Sequence, residues 1–203
     1  MRLASAPPGR HIWGMFIQTE ATPNPQVLKF LPGRDVFPDG SRDFRDAAEA
    51  EASPLASELF EIEGVERVYF GGDFITVGKR PSQDWGVLKA PILAAIMDHY
   101  TAGRPLFREG EASAGHSDAA YEGDTAQIVA EIKDLLDTRI RPAVAQDGGD
   151  ILFERFEPDS GVVYLNMKGA CSGCPSSTAT LKAGVENLLK HYVPEVTRVE
   201  QTV

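Results

Sequence analysis

The two cysteines of the chain stand in one short motif, Cys171-Ser172-Gly173-Cys174, and Pro175 follows them directly. Proline is favoured at the first position of a helix, where its missing N–H would have no intrahelical partner. We therefore expect a helix to begin at Pro175, with both sulfurs near its positive N-terminal end. The helix dipole and the unpaired N–H groups there favour the thiolate, the form that binds metals and attacks disulfides. The motif predicts one site in which both thiols act together.

A closed zinc site and a structural disulfide are both disfavoured. A structural zinc ion takes four Cys or His ligands, usually in closely spaced pairs. The four histidines, His11, His99, His116 and His191, offer no second pair near one another in the sequence. A structural disulfide needs an oxidising compartment, whereas sparse cysteines without an export signal favour a reducing one.

A dithiol–disulfide oxidoreductase stays open as an alternative, because it needs only two thiols. Cys171 would be its nucleophile and Cys174 its resolving thiol. Against this enzyme, the second half of the chain predicts helix, hairpin, helix and strand, and not the β-α-β order expected around a thioredoxin-like motif. A plain interaction module, in which the thiols take no part, also stays open.

The number of thiols supports a third hypothesis. A [4Fe-4S] cluster is normally held by four thiolates, and this chain offers two, so two copies related by a two-fold axis would complete the site. Such a cluster would lie between subunits on loops of small residues, which suits a transient carrier better than a permanent electron carrier. We therefore hypothesise that Cys171 and Cys174 bind a bridging cluster that passes to an acceptor by thiolate exchange.

Composition and charge exclude several other classes. The net charge of −10 and the pI near 4.9, without a basic patch, argue against a nucleic-acid partner. No stretch approaches the roughly 20 apolar residues of a membrane-spanning helix. We expect a cytoplasmic protein, with the mitochondrial matrix as the alternative for a eukaryotic source. Residues 1–14, with Arg2, Arg10 and two prolines, predict a disordered leader.

A segment rich in Gly, Ala, Glu and Ser, with one proline at Pro105, spans residues 102–123, has no apolar periodicity and predicts a flexible linker. It separates a first domain over residues 15–101 from a second over residues 124–203. The first domain predicts strands at 16–19 and 27–31, a helix capped by Ser53 with Pro54 as its first residue, a hairpin of 65–70 with 73–77, and a helix over 84–100.

The second domain predicts a helix from residue 124 to about 144, opened by a capping box of Asp124 and Gln127. A hairpin of 151–156 with 162–167, a helix over 175–193 and a terminal strand over 196–203 follow. The fold class is therefore α+β, as two small domains. We interpret Asp147 and Asp150 as ordinary turn residues. We expect Lys168 to be a solvated residue at the end of a strand.

Three runs of the second domain resemble the C-terminal domain of NifU and of the Nfu-type iron–sulfur cluster carriers: DGGD at 147–150, GACSGCPSS at 169–177 and TLKAGVE at 180–186. Four runs of the first domain resemble the Nfu-type N-terminal domain: MFIQT at 15–19, TPNP at 22–25, LKF at 28–30 and FGGDFITV at 70–77. The two domains in this order form a more specific signal than a lone Cys-x-x-Cys motif.

The resemblance implies an iron–sulfur cluster scaffold or carrier, not an enzyme. It implies that Cys171 and Cys174 ligate a [4Fe-4S] cluster across a homodimer, with a [2Fe-2S] form left open. The implied partners are upstream cluster-assembly proteins and apo iron–sulfur acceptor proteins, with no nucleic acid and no membrane. The cysteine-bearing extra domains of full NifU proteins are absent from this sequence.

Overall fold

The computed structural model describes residues 16–110, 121–172 and 175–202. The predicted leader, residues 111–120 of the predicted linker, and Cys174 lie outside the described residues. Helices and sheets mix in two domains, so the predicted α+β class is confirmed. Within the described parts of the chain, no helix is both long enough and apolar enough to cross a membrane.

The first domain is a five-stranded antiparallel sheet covered by helices. Its strands are β1 (Gln18–Ala21), β2 (Val27–Leu31), β3 (Arg42–Phe44), β4 (Val65–Phe70) and β5 (Ile75–Lys79), in the order β1-β2-β5-β4-β3. The helices are α1 (Ala47–Ala50), α2 (Pro54–Phe60) and α3 (Trp85–Thr101). The predicted β4–β5 hairpin is confirmed, and the Ser53 side chain accepts a hydrogen bond from the N–H of Ala56, as a capping residue does.

Apolar side chains of α2 and α3 fill one core with the sheet. Leu55 and Leu59 of α2 and Ile92 and Ile96 of α3 are fully buried beside strand residues such as Phe30. This alternation of buried positions at helical spacing is what the sequence predicted. Strand β3 and helix α1 were not predicted, because three or four residues are too few to show a period.

The beginning of the predicted linker belongs to the first domain. The ring of Phe107 packs edge-on against Phe37, with ring centroids 4.9 Å apart, and against Phe70. The carbonyl of Leu106 accepts a hydrogen bond from the Ser53 hydroxyl, and the N–H of Arg108 donates to the carbonyl of Ala52 at 2.9 Å. The expectation of a linker from residue 102 is therefore wrong up to residue 108, because two apolar side chains in a polar stretch suffice to bind it to the core.

The second domain has a helical layer on a three-stranded sheet. Helix α4 (Gly123–Leu135) continues through a π-helical turn (Leu136–Ile140) into α5 (Arg141–Gln146). Strands β6 (Gly149–Glu157) and β7 (Val162–Gly169) form the predicted antiparallel hairpin. Helix α6 (Pro175–Tyr192) and strand β8 (Arg198–Thr202) follow. The predicted capping box is wrong, since α4 begins after Glu122, which makes no side-chain capping bond.

The terminal strand changes the topology expected from the sequence. Strand β8 pairs with β7 in parallel, so β7, α6 and β8 form a β-α-β crossover with the cysteine loop between β7 and α6. The expectation that this half lacks a β-α-β unit is therefore wrong. The order of elements alone did not reveal it, because a strand that follows a helix can join either edge of a hairpin in either direction.

Candidate functional site

The cysteine loop leaves the end of β7 in a tight turn. The N–H and the hydroxyl of Ser172 both donate to the carbonyl of Gly169, at 3.2 and 2.9 Å. The N–H of Ala170 donates to the carbonyl of Gly148 at 3.1 Å, which ties the loop to the turn that precedes β6. The structure therefore places Cys171 beside residues 147–150, whereas Cys174 lies outside the described residues.

Glycines in both segments allow this close approach. A Cβ atom on Gly149 would overlap Cys171 Sγ and lie 2.9 Å from the carbonyl oxygen of Lys168. Gly148 and Gly169 have φ angles of 79° and 62°, a left-handed conformation that side chains disfavour. The sequence marked the two adjacent glycines, Gly148 and Gly149, only as a turn, and their role as the surface on which Cys171 lies was missed.

Cys171 is buried in the second domain. Its exposed fraction is 8%, and it belongs to the apolar core of the second domain. Burial, followed by the negative charges of Asp147 and Asp150, raises the pKa of the Cys171 thiol to about 12. The expectation of a stabilised thiolate is therefore wrong for Cys171 in this conformation, because desolvation and two nearby negative charges favour the neutral thiol.

Asp150 is the centre of a buried polar network beside the loop. Its Oδ1 accepts from Arg141 Nε and from the N–H of Ile151, both at 2.8 Å, and its Oδ2 accepts from Arg141 at 3.0 Å. Hydrogen bonding to Asp150 raises the pKa of the Arg141 guanidinium above its already high value. Asp150 is thus more than an ordinary turn residue: it fixes the start of β6 against α5. Asp147, by contrast, is exposed.

Lys168 lies across the β6–β7 ladder from Asp150. It is partly buried, and desolvation lowers the pKa of its ammonium group, against the opposing effects of Asp43 and Asp150. The expectation of a solvated strand-end residue is therefore wrong. The ammonium group of Lys168 interacts with a carboxylate of each domain, Asp43 of the first and Asp150 of the second.

The first domain lies directly on this region. Lys29 Nζ, from β2, donates to the carbonyls of Ala145 and Gln146 at 2.9 and 3.2 Å. Pro23 lines a small cavity together with Asp147, Ala170, Cys171 and Leu181. Nothing in the sequence indicated this contact, because the two sets of residues lie more than 100 positions apart and the predicted linker suggested independent domains.

His99, near the end of α3, is a further polar side chain in the core of the first domain. Its side chain has an exposed fraction of 0%. Neither ring nitrogen has a hydrogen-bond partner among the described residues. In those same parts of the chain, no group of three or more His, Cys, Asp or Glu side chains is placed to hold a metal ion.

Comparison with known proteins matches both domains to described families. Residues 17–103 match the family described as "Scaffold protein Nfu/NifU N terminal", and residues 132–200 match the "NifU-like domain". The NMR structure of a NifU-like protein from Saccharomyces cerevisiae aligns with a TM-score of 0.44 at 24% identity, over 54% of this chain and 95% of that one.

Curated relatives extend the match to nearly the whole chain. "NifU-like protein 4, mitochondrial" of Arabidopsis thaliana is 54% identical over 187 residues, 92% of this chain and 66% of that protein. "NifU-like protein 5, mitochondrial" of the same plant is 52% identical, over 92% of this chain and 68% of that protein. "NFU1 iron-sulfur cluster scaffold homolog, mitochondrial" of Drosophila virilis is 52% identical over 188 residues, 92% of this chain and 61% of that protein. The chain thus spans about two thirds of the length of these relatives, whose names give no support to a cytoplasmic location. With both domains matched in order, the chain belongs to the Nfu/NifU family of scaffold proteins.

Proposed function

We propose that this protein is a carrier that binds an iron–sulfur cluster through Cys171 and Cys174 and transfers it to apo-proteins, without catalysing a reaction of its own. The cluster is its cargo, a [4Fe-4S] unit shared across a homodimer. The observation that carries the proposal is the position of Cys171. It lies in the loop between β7 and α6, where the absence of a side chain on Gly149 lets the sulfur approach the backbone closely. The sequence offers only one other cysteine, so a four-thiolate site needs a second chain.

Partners and location follow from the relatives. A scaffold receives its cluster from upstream assembly proteins and delivers it to acceptor proteins, so these are the proposed partners. The relatives are named as mitochondrial proteins. For a eukaryotic source we therefore propose the mitochondrial matrix, the alternative that the sequence left open.

Anaerobic reconstitution with iron and sulfide tests the proposal. We expect about four irons per dimer, an absorbance band near roughly 400 nm from the thiolate–iron chromophore, and a doubling of the molecular mass. Cys171→Ser and Cys174→Ser should each abolish all three signals, whereas Ser172→Ala, a change in the same loop that removes no thiol, should keep them. Uptake of iron by a chain that stays monomeric would refute the bridging site.

The dithiol oxidoreductase remains the second candidate, because the β-α-β unit that the sequence argument had excluded is present around the cysteine loop. The burial of Cys171 counts against it, since a thiol with a raised pKa is a poor nucleophile near neutral pH. Turnover of a disulfide substrate by the metal-free protein, lost in Cys171→Ser, would favour the enzyme over the carrier.

A further inference from the structure

Lys29 is the main polar contact between the domains. Its ammonium group is almost completely buried and donates to the last two carbonyls of α5, Ala145 and Gln146. Carbonyls at the C-terminal end of a helix carry partial negative charge, so they suit a cation, although the carbonyl of Ala145 also accepts from the N–H of Gly148 at 3.0 Å. A buried ammonium group is costly unless its hydrogen bonds are made. Within the first domain, Lys29 Nζ lies 3.7 Å from the Glu20 carboxylate and 4.7 Å from the centroid of the Phe74 ring, whereas its two hydrogen bonds to carbonyls are supplied by the second domain.

Further contacts lie on both sides of the cysteine loop. The hydroxyl of Ser41 donates to Asp150 Oδ2 at 3.0 Å, and both residues are buried. The ring of Tyr69 approaches Gly169 so closely that a Cβ atom there would lie 3.2 Å from it. A Cβ atom on Gly148 would lie 2.9 Å from the methyl group of Thr76. Gly148 and Gly169, which shape the cysteine loop, thus also allow side chains of the first domain to pack closely against it.

The space left at Cys171 is small. The cavity that Cys171 and Pro23 line together has a volume of about 50 Å³, which has room for a few water molecules. A bridging site needs room for the cluster and for two thiolates of another chain. A cluster and two further thiolates would not fit in this cavity, so Pro23 of the first domain would have to move away from Cys171 before they bind.

We propose that the first domain is a reversible cover of the cysteine loop, which must move away before Cys171 binds a cluster and a second chain. This inference rests on the proposed function, because only a shared site requires this face to be free. The chain alternates between a closed form, in which Lys29 and Ser41 bind the second domain, and an open form that dimerises on the cluster. Loading is thereby coupled to domain separation.

The character of the contact suits reversible opening. A pocket of about 230 Å³ that is open to solvent lies at this contact, bordered by Ser41, Tyr69, Arg141 and Asp150, so the two surfaces do not match closely there. Polar contacts between domains of one chain resemble transient protein interfaces. Residues 109–122, which join the domains, can span up to about 50 Å when fully extended. The first domain can therefore leave the loop while remaining attached to it.

Thiol labelling of the full-length, metal-free protein tests whether the cover exists. In a Cys174→Ser background, Cys171 is the only thiol. Lys29→Met removes the contact with α5 and should raise the labelling rate of Cys171 at least about tenfold, equal to about 1.4 kcal/mol of closing free energy. Lys79→Met is the matched control, because Lys79 is equally buried on the same sheet but bonds to Gln26 Oε1 within the first domain, at 2.7 Å. It should leave the rate unchanged.

Ser41→Ala provides a second interface variant in case Lys29→Met fails to fold, and it should also accelerate labelling. Unchanged labelling in the variants that keep the wild-type melting temperature overturns the proposal. With both cysteines restored, the same variants should take up iron and sulfide faster than the wild type. Faster labelling with wild-type uptake would show that the cover does not control loading, and would also overturn it. If even the wild type takes up no iron, the proposed function fails, while labelling still decides whether the first domain covers Cys171.

Discussion

Replacing Gly149 with alanine should disturb the cysteine loop and destabilise the second domain. The new Cβ atom would overlap Cys171 Sγ, and would lie 2.9 Å from the carbonyl oxygen of Lys168 and 3.0 Å from the N–H nitrogen of Cys171. Two of these three neighbours are backbone atoms of a hydrogen-bonded turn, so rotation of the Cys171 side chain alone would not relieve the close contacts. Overpacking of this kind costs about 1–3 kcal/mol, which for a domain of this size lowers the melting temperature by about 5–15 °C.

Gly184→Ala is the matched control for this change. Gly184 lies in helix α6 of the same domain, and a Cβ atom there would meet nothing within 4 Å. This variant should be about 0.5–1 kcal/mol more stable than the wild type, since alanine favours the helix. Differential scanning calorimetry and the iron content after reconstitution are the measurements. Wild-type stability and full iron uptake in Gly149→Ala would refute the close contact between this glycine and Cys171.

Three further predictions concern stability, each measured by urea denaturation. Lowering the pH should destabilise the first domain, because burial and then Arg104 lower the pKa of His99, so the unfolded chain binds a proton below about pH 6.5 that the folded chain does not. His99→Phe should remove this pH dependence, and an unchanged slope would contradict the cause. Asp150→Asn should lower the free energy of unfolding by about 1–3 kcal/mol, because it weakens the ion pair with Arg141. Asp137→Asn, which changes an exposed partner of the same arginine, should lower it by less than about 0.5 kcal/mol. Equal losses would contradict the special role of the buried Asp150. Ser53→Ala should cost about 2 kcal/mol, because it removes the cap of α2 and the bond to Leu106, and a neutral effect would contradict this double role.

Local signals in the sequence predicted most of the secondary structure. Ser53 before Pro54 marked the start of α2, and the paired glycines after Phe70 marked a hairpin, because capping and turn residues act on their immediate neighbours. The position of Cys171 between a strand and a helix was predicted for the same reason, since Pro175 fixes the beginning of α6. These features depend on a few adjacent residues.

Features that depend on distant residues were missed. The contact of Lys29 with α5 joins positions 116 and 117 residues apart, and no local pattern records it. The same holds for the parallel pairing of β8 with β7. The raised pKa of Cys171 follows from burial and from Asp147 and Asp150, whereas the sequence argument considered only the nearby helix end. The adjacent glycines at 148 and 149 were the one available signal for the close approach to the sulfur.

The packing of Phe107 into the first domain has a consequence for synthesis on the ribosome. Domains fold in order as the chain emerges from its N-terminus. Phe37 lacks the ring that packs on it, and Phe70 has Phe44 but not its second aromatic neighbour, until residue 107 has been made. The carbonyl of Ala52 lacks its donor until Arg108 follows. The first domain therefore completes its core only after α3 is finished, and a fragment cut at residue 101 would expose an aromatic surface and tend to aggregate. Fragments that separate the domains should be cut after residue 110.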